Sequence, residues 1–267
     1  MTKALELVDS HAHLDMEDFD PDREDVVRRA FASGLKYILC PIEISEERSR
    51  KIILDLVKRY PTVYAAAGVH PHRARLFSPG CLDKIRKLAA CGKIQAVGEI
   101  GLDYHYDFSP QDDQAIALRA QIELAQELDL PVIIHSRNSG RDVIRAVRDA
   151  GFAVGGVLHC YTEDGDIARE MLDLGFFISF SGILTFPNAQ ALRETAKGIP
   201  LERLLVETDA PYLAPLPHRG RRNEPAYVVE TARLLAGLKG LAFEDLAAAV
   251  TRNFSRLFLF EKKPLRC

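Results

Sequence analysis

Two histidines at i and i+2, in Val8-Asp9-Ser10-His11-Ala12-His13-Leu14-Asp15, directly follow the apolar run Leu5 to Val8. On an extended strand alternate side chains share a face, so the two imidazoles would project together, a common start to a metal site. Alone, the pair reads as well as a turn with two solvated histidines. What decides is whether other apolar runs end in matching ligands, and they do. His70 ends the run in Gly68-Val69-His70-Pro71-His72, and Glu99 the run in Val97-Gly98-Glu99-Ile100-Gly101-Leu102-Asp103. His135 follows Ile133-Ile134, His159 follows Val157-Leu158, and Asp209 closes Val206-Glu207-Thr208-Asp209. Five of the eight histidines stand at such ends, a concentration that random scatter would not produce.

Imidazole with carboxylate suits Zn, Mn, Fe, Co or Ni, and Mg where carboxylates and waters dominate. Four histidines (His11, His13, His135, His159) and two carboxylates (Glu99, Asp209) exceed what a single catalytic ion with an open position needs. Two divalent metal ions, Mg, Mn or Zn, about 3.5–4 Å apart are therefore expected. Glu99, with two oxygens to share, is the natural bridge. A hydroxide held between the ions would be the nucleophile. Asp209 would bind one ion, accept the proton of the attacking water and deliver it to the leaving group, which makes Asp209 and Glu99 the catalytic pair. No serine elbow, phosphate-binding Gly-rich loop or Cys–His–Asn pattern supports a covalent route. The chemistry expected is metal-assisted hydrolysis.

The elements that must bring these residues together alternate along the chain. Strands are expected at Leu5–His13, Lys36–Ile42, Val63–Val69, Ile94–Ile100, Pro131–His135, Val154–His159, Phe176–Ser181 and Leu204–Glu207. Between and after them lie helices at Pro21–Ala32 (with Asp20 as N-cap and Gly34 as stop), Ser45–Tyr60, Pro79–Ala90, Pro110–Leu128, Gly140–Ala150, Asp164–Leu174, Asn188–Lys197, Tyr227–Leu238 and Phe243–Phe258. The strand runs are continuously apolar, the mark of a parallel sheet covered on both faces. Eight β/α units fit one α/β domain spanning 1–267, a single (β/α)8 TIM barrel with parallel strands, whose C-terminal rim is where active sites are built. No Gly-x-Gly-x-x-Gly opens the first helix, so a doubly wound sheet is disfavoured.

The chain of 267 residues is 47% hydrophobic with a formal net charge of −3. Its acidic balance speaks against long non-specific contacts with nucleic acid, though not against a few local phosphate contacts. Five cysteines, Cys40, Cys81, Cys91, Cys160 and Cys267, form no C-x-x-C pair, and idle thiols in a reducing compartment are expected, with Cys160 in the core. Neither a signal peptide nor a membrane-spanning run is apparent. A cytoplasmic monomer without membrane contact is the expectation.

The ordered motifs carry a resemblance. Asp9-Ser10-His11-Ala12-His13-Leu14-Asp15, Gly68-Val69-His70-Pro71-His72, Gly98-Glu99-Ile100-Gly101-Leu102-Asp103-Tyr104, Ile134-His135-Ser136-Arg137, His159-Cys160-Tyr161, Glu207-Thr208-Asp209-Ala210-Pro211-Tyr212-Leu213 and Arg219-Gly220-Arg221-Arg222-Asn223-Glu224-Pro225-Ala226-Tyr227 look like the TatD family. TatD proteins are metal-dependent deoxyribonucleases of the amidohydrolase-like TIM-barrel superfamily. The resemblance covers nearly the whole chain and puts the family's metal ligands on His11, His13, Glu99, His135, His159 and Asp209. Glu99 stands where the wider superfamily often carries a carboxylated lysine. Thr162-Glu163-Asp164 departs from the family's small residue and Gly, so a loop lining the substrate cleft is expected to differ.

Four residues are read as substrate contacts. His70 would meet a phosphate beside the metals, while His72 is read as a rim residue holding a loop. Arg137 would bind a phosphate oxygen or make a structural salt bridge. Tyr161, like Tyr104, could stack on a base. Arg219 begins the one dense basic run, after strand eight, where barrels often bind phosphate; Asn223-Glu224-Pro225 would anchor that loop. His105 and His218 are read as surface residues. The resemblance implies a DNA substrate with short single-stranded ends, trimmed from the 3′ end. A small-molecule amidohydrolase or lactonase on the same dinuclear site is the alternative, since fold does not fix substrate.

Overall fold

The computed structural model describes residues 6–106 and 108–259. The expected first strand begins at Leu5, outside this range, as does Cys267. Strands β1 (Leu7–Asp9), β2 (Leu35–Glu43), β3 (Val63–Gly68) and β4 (Ala96–Asp103) alternate with helices α1 (Arg23–Ala32), α2 (Glu47–Arg59), α3 (Pro79–Ala90) and α4 (Gln111–Glu127). The second half continues with β5 (Val132–Arg137), α5 (Gly140–Asp149), β6 (Gly156–Leu158), α6 (Gly165–Asp173), β7 (Phe177–Phe180), α7 (Gln190–Gly198), β8 (Leu204–Val206), α8 (Val228–Lys239) and α9 (Phe243–Phe258).

All eight strands pair parallel to their sequence neighbours in the order β1 to β8. The seam between β8 and β1 is closed just beyond the strands. Ser10 N donates to Val206 O at 3.1 Å, Asp209 N to His11 O at 2.9 Å, and Ala12 forms a parallel bridge with Ala210. The fold is the (β/α)8 barrel expected, because strands buried on both faces can be covered only by a ring of helices outside and side chains within. Helix α5 shows the outer ring's pattern: Val143, Ile144 and Val147 are buried on one stripe while its arginines face out. Among the described residues no helix is long and apolar enough to cross a membrane.

Boundaries differ from expectation where the site is built. Strand β4 runs on to Asp103, so Glu99 stands inside the strand rather than at its end. Its ladder with β5 is irregular between Val97 and Ile100, the segment that carries Glu99. Gly101 makes this passage possible: its φ is +151°, and a Cβ there would lie 2.0 Å from the His135 carbonyl oxygen. Only glycine fits. Asp20 does not cap α1, which starts after Asp22; its carboxylate instead pairs with Arg23 and Arg48.

Two buried amides on α4 hold the ends of β3 and β4. Gln121 accepts from Val69 N at 2.7 Å and donates to Val69 O at 3.2 Å. Gln114 accepts from Asp103 N at 2.8 Å and donates to Asp103 O at 3.1 Å. Each side chain thus replaces the strand partner that these peptides have lost at the rim.

Candidate metal centre

His11 and His13 lie past the end of β1, on either side of the Ala12–Ala210 bridge. The extended backbone sends both rings the same way, and their Nε2 atoms stand 3.2 Å apart. Glu99, buried at 4% exposure, reaches into the same space from β4. Its Oε2 faces His11 Nε2 at 3.2 Å and His13 Nε2 at 3.6 Å. Its Oε1 faces His159 Nε2 at 2.7 Å, His135 Nδ1 at 3.1 Å and His70 Nε2 at 3.1 Å. Asp209 Oδ1 lies 3.4 Å from His13 Nε2. One carboxylate therefore divides its two oxygens between two groups of histidines.

These donors fit metal ions. Bonds of about 2.0–2.2 Å at tetrahedral or octahedral angles place ligand atoms about 2.8–3.6 Å apart, which is the spacing found. Glu99 Oε2 and His11 Nδ1 are buried with no hydrogen-bond partner, and an orphaned carboxylate oxygen aimed at two imidazole nitrogens is what a cation would satisfy. The groups His11–His13–Glu99, His11–His159–Asp209 and Glu99–His135–His159 each bring ligand atoms within 4.8 Å of one another.

The electrostatics agree. Burial works to raise Glu99, but the charges of His159, His70 and His11 hold it well below the usual carboxylate range. Asp209 is likewise held low against its burial, chiefly by His13. Burial opposes charge on His13, yet Asp209 and Glu99 outweigh it and lift that imidazole to about 9. Burial prevails at His70, taking it down to about 4. Glu99 and its carboxylate neighbours thus draw positive charge onto His13, His135 and His159 against their burial, while burial keeps His11 and His70 lowered.

A second set of carboxylates fixes the rings. Glu207, fully buried, accepts from His159 Nδ1 at 3.2 Å and from Cys160 N at 2.6 Å. Asp103 Oδ2 lies 3.0 Å from His135 Nε2 and 2.8 Å from His72 Nε2. Asp9 accepts from His11 N at 3.2 Å and Thr208 N at 2.9 Å, joining the two ligand-bearing segments across the seam. Glu43 accepts from His70 N at 2.9 Å, and His70 Nδ1 accepts from His72 N at 3.0 Å, which leaves Nε2 of His70 pointing inward. Carboxylates behind ligand histidines set tautomer and orientation. Sequence reasoning passed over Asp9, Glu43, Asp103 and Glu207; Asp9, Asp103 and Glu207 each lie inside a motif that carries a proposed ligand, whereas Glu43, 27 positions from His70, left no such signal.

The remaining expected contacts divide. Arg137 holds its guanidinium 4.9 Å above the Tyr106 ring and makes no ion pair among the described residues. Arg219 is exposed, 3.8 Å over the Phe186 ring. Arg222, in the same basic run, is turned inward, bidentate to Asp22 at 2.7 and 2.8 Å. Asn223 Nδ2 donates to Thr208 O and Tyr212 O at 2.9 and 2.6 Å, bracing the loop that carries Asp209, itself at φ +56°. Tyr161 corrects the expectation of a stacking ring: it is 1% exposed, packed edge-on to Phe180, with its hydroxyl donating to Asp164 O. Tyr104 donates to Asp142. Cys160 is not core: at φ +43° it is half-buried, its Sγ 3.2 Å from Ser181 Oγ. His218, read as a surface residue, stacks on Tyr227 with centroids 3.7 Å apart. Glu163, the departure noted after His159, accepts from Ser139 N and Gly140 N at 3.1 and 3.2 Å and from Ser136 Oγ at 2.7 Å. It closes the N-terminus of α5 beside the ligand strand β5.

A family model described as TatD related DNase matches residues 8–259. An uncharacterised metal-dependent hydrolase of Bacillus subtilis, YabD, is 43% identical over 253 residues, covering 94% of this chain and 98% of the relative. A protein of Salmonella typhimurium named 3′-5′ ssDNA/RNA exonuclease TatD is 36% identical over 259 residues, 94% of this chain and 98% of its own. Among solved structures, the TatD homologue YjjV of Escherichia coli superposes with a TM-score of 0.88 at 30% identity, over 96% of this chain and 98% of that one.

Proposed function

Because this chain belongs to the family of TatD-related DNases, we propose that it is a divalent-metal-dependent phosphodiesterase that shortens single-stranded DNA from its 3′ end. The observation that carries the reading is Glu99, whose Oε2 faces His11 and His13 while Oε1 faces His135 and His159. In this proposal His11, His13 and Asp209 would hold one ion and His135 and His159 a second, with Glu99 shared between them. Two such ions, when bound, lower the pKa of water and neutralise charge on a phosphodiester.

The protein's own residues supply the rest. Asp209 is ionised at neutral pH, so its carboxylate can take a proton from the attacking water and pass it to the departing 3′ oxygen. His70, kept neutral by burial, presents Nε2 to a phosphate oxygen at the mouth of the centre. Arg137 and the exposed Arg219 contact phosphates further along the strand. Every proposed ligand comes from one chain.

The test is degradation of end-labelled single-stranded DNA, duplex DNA and single-stranded RNA with Mg or Mn, with EDTA, and by Asp209→Asn. Loss of cleavage by at least a hundredfold in the variant and in EDTA is expected, in line with removal of a general base that contributes about 10²–10⁴-fold. Equal cleavage by wild type and variant, or indifference to EDTA, refutes the mechanism. Hydrolysis of small esters or amides with no cut in DNA refutes the substrate.

A further inference from the structure

We propose that Tyr106 and Phe108, in the loop between β4 and α4, form a stacking site for one nucleobase of the strand whose phosphate is cut; this rests on the function proposed above. Among the described phenylalanines and tyrosines the exposed ones are Tyr106 (41%), Phe108 (58%) and Tyr212 (50%), and all three stand on the rim that carries the metal centre. Rings left in water at a polar rim mark a surface that binds something.

The rings form a continuous path from the centre outward. His135, a proposed ligand, lies 6.0 Å from His72; His72 lies 5.6 Å from Tyr106 and 4.8 Å from Phe108. Tyr106 and Phe108 are stacked, 5.4 Å apart at 25°, with the Arg137 guanidinium 4.9 Å from the Tyr106 ring. A nucleotide adjoining the reacting phosphate would find the exposed side of this stacked pair, chiefly Phe108, for its base and a cation for its own phosphate.

The platform is held rather than floating. Asp103 Oδ1 accepts from the backbone N–H of His105 and of Tyr106, each at 2.9 Å, while its Oδ2 faces His135 Nε2 at 3.0 Å. One buried carboxylate thus ties the aromatic loop to a ring of the centre. Ser109 Oγ donates to His72 O at 3.0 Å and fastens the far end of the loop. Such preorganisation means that a base docks without ordering the loop first.

Stacking also suits the charge of the chain. A net charge of −3 offers little general attraction for a polyanion. Base–aromatic stacking tolerates any sequence and needs no basic groove. An apolar protein side chain as occupant would not account for Arg137, a cation with no ion pair among the described residues, at the edge of the pair.

The experiment uses an oligothymidylate ten-mer and a set in which each of the three 3′-terminal bases in turn is replaced by an abasic tetrahydrofuran unit. Cleavage kcat/KM in Mg and binding by fluorescence anisotropy are measured for wild type, Phe108→Leu, and the Tyr106→Ala, Phe108→Ala double variant. Phe108 is exposed, so its leucine variant tests the ring without threatening the fold. In wild type, removing one particular base lowers affinity by about tenfold, the loss of one stacked base. In the double variant the same removal changes affinity less than about twofold, since the partner ring is already gone. The binding constant falls with salt with a log–log slope shallower than about −2, as for few phosphate contacts. Base removals that all go unnoticed by wild type, or that cost the double variant just as much, overturn the stacking site while leaving the exonuclease reading intact. Base-dependent binding without cleavage sustains the stacking site and refutes the function proposed above. A wild type that neither binds nor cuts refutes both.

Discussion

Glu207 offers the sharpest test of how the centre is held. Its side chain is fully buried, and Oε1 accepts both His159 Nδ1 and Cys160 N, while Oε2 has, among the described residues, Ser10 Oγ 3.5 Å away. Two replacements separate charge from shape. In Glu207→Gln the amide oxygen can keep both acceptances, and the new N–H₂ can donate to Ser10 Oγ. The metal-free fold keeps these hydrogen bonds, but His159, whose pKa Glu99 and Glu207 lift well above the usual imidazole range against its burial, loses one of its two anionic neighbours. That fold should therefore lose some stability, though less than in the alanine variant. What is lost is the negative charge that makes His159 a better ligand, and such outer partners are worth about 10–100-fold in metal affinity. At fixed excess metal this removes about 1.4–2.7 kcal/mol of metal-induced stabilisation. For a chain of this size that is a metal-dependent rise in Tm smaller by roughly 3–10 °C than in wild type. In Glu207→Ala the His159 and Cys160 donors lose their acceptor in a dry site, at about 1–3 kcal/mol each, so the metal-free protein itself should lose about 2–6 kcal/mol. Thermal melts in EDTA and in excess Mn, with calorimetric Mn titration, read both effects. An alanine variant as stable as wild type in EDTA, or a glutamine variant with unaltered Mn affinity, would show that Glu207 does not position His159.

Three further outcomes are expected. Burial pushes Asp9 from 3.8 up to about 8 in spite of its bonds to Thr208 and His11, so between about pH 4 and pH 8 the unfolded chain ionises this group while the fold keeps the proton. Stability from this group falls as pH rises through that window and levels off above it; Asp9→Asn, which has no such proton, should gain on wild type by about 1–4 kcal/mol between pH 5 and pH 8 in urea titrations with EDTA, and a constant difference contradicts it. Gly101→Ala must place a Cβ 2.0 Å from the His135 carbonyl at φ +151°, so a loss of about 3 kcal/mol or more is expected; a melt within 2 °C (roughly 1 kcal/mol) of wild type contradicts it. Glu163→Ala strips the acceptor from Ser139 N and Gly140 N at the start of α5 and should cost about 1–2 kcal/mol in chemical denaturation, as loss of a helix cap does, with Glu163→Gln recovering most of it; equal stability of the two variants tells against the cap.

The alternation of apolar runs and helical stretches was enough to read the barrel, because a strand buried on both faces has no freedom to look like anything else. The proposed ligands were legible for a related reason: histidine and carboxylate at the ends of such runs are costly to bury without a partner, so their recurrence at one strand end after another carries information that no single one of them does. Glu99 shows where this reading stops. The apolar run ends at Ile100 and so puts Glu99 at a strand end, yet the strand continues to Asp103 through Gly101, whose unusual backbone is visible only against β5.

Tyr161 and Tyr106 mark the same limit from two sides. Both are tyrosines in rim loops, and no local pattern distinguishes the one buried against Phe180 from the one left in water beside His72. Residue type and spacing determined that several histidines, Glu99 and Asp209 would line one end of a barrel. Which oxygen of Glu99 faces which ring, that Glu207 stands behind His159 and Asp103 behind His135, and that Asp9 joins segments 199 positions apart were decided by tertiary structure alone. Those relations run perpendicular to the chain, across neighbouring strands, where the partner of a side chain is set by strand register and barrel closure and leaves no periodic trace in the sequence.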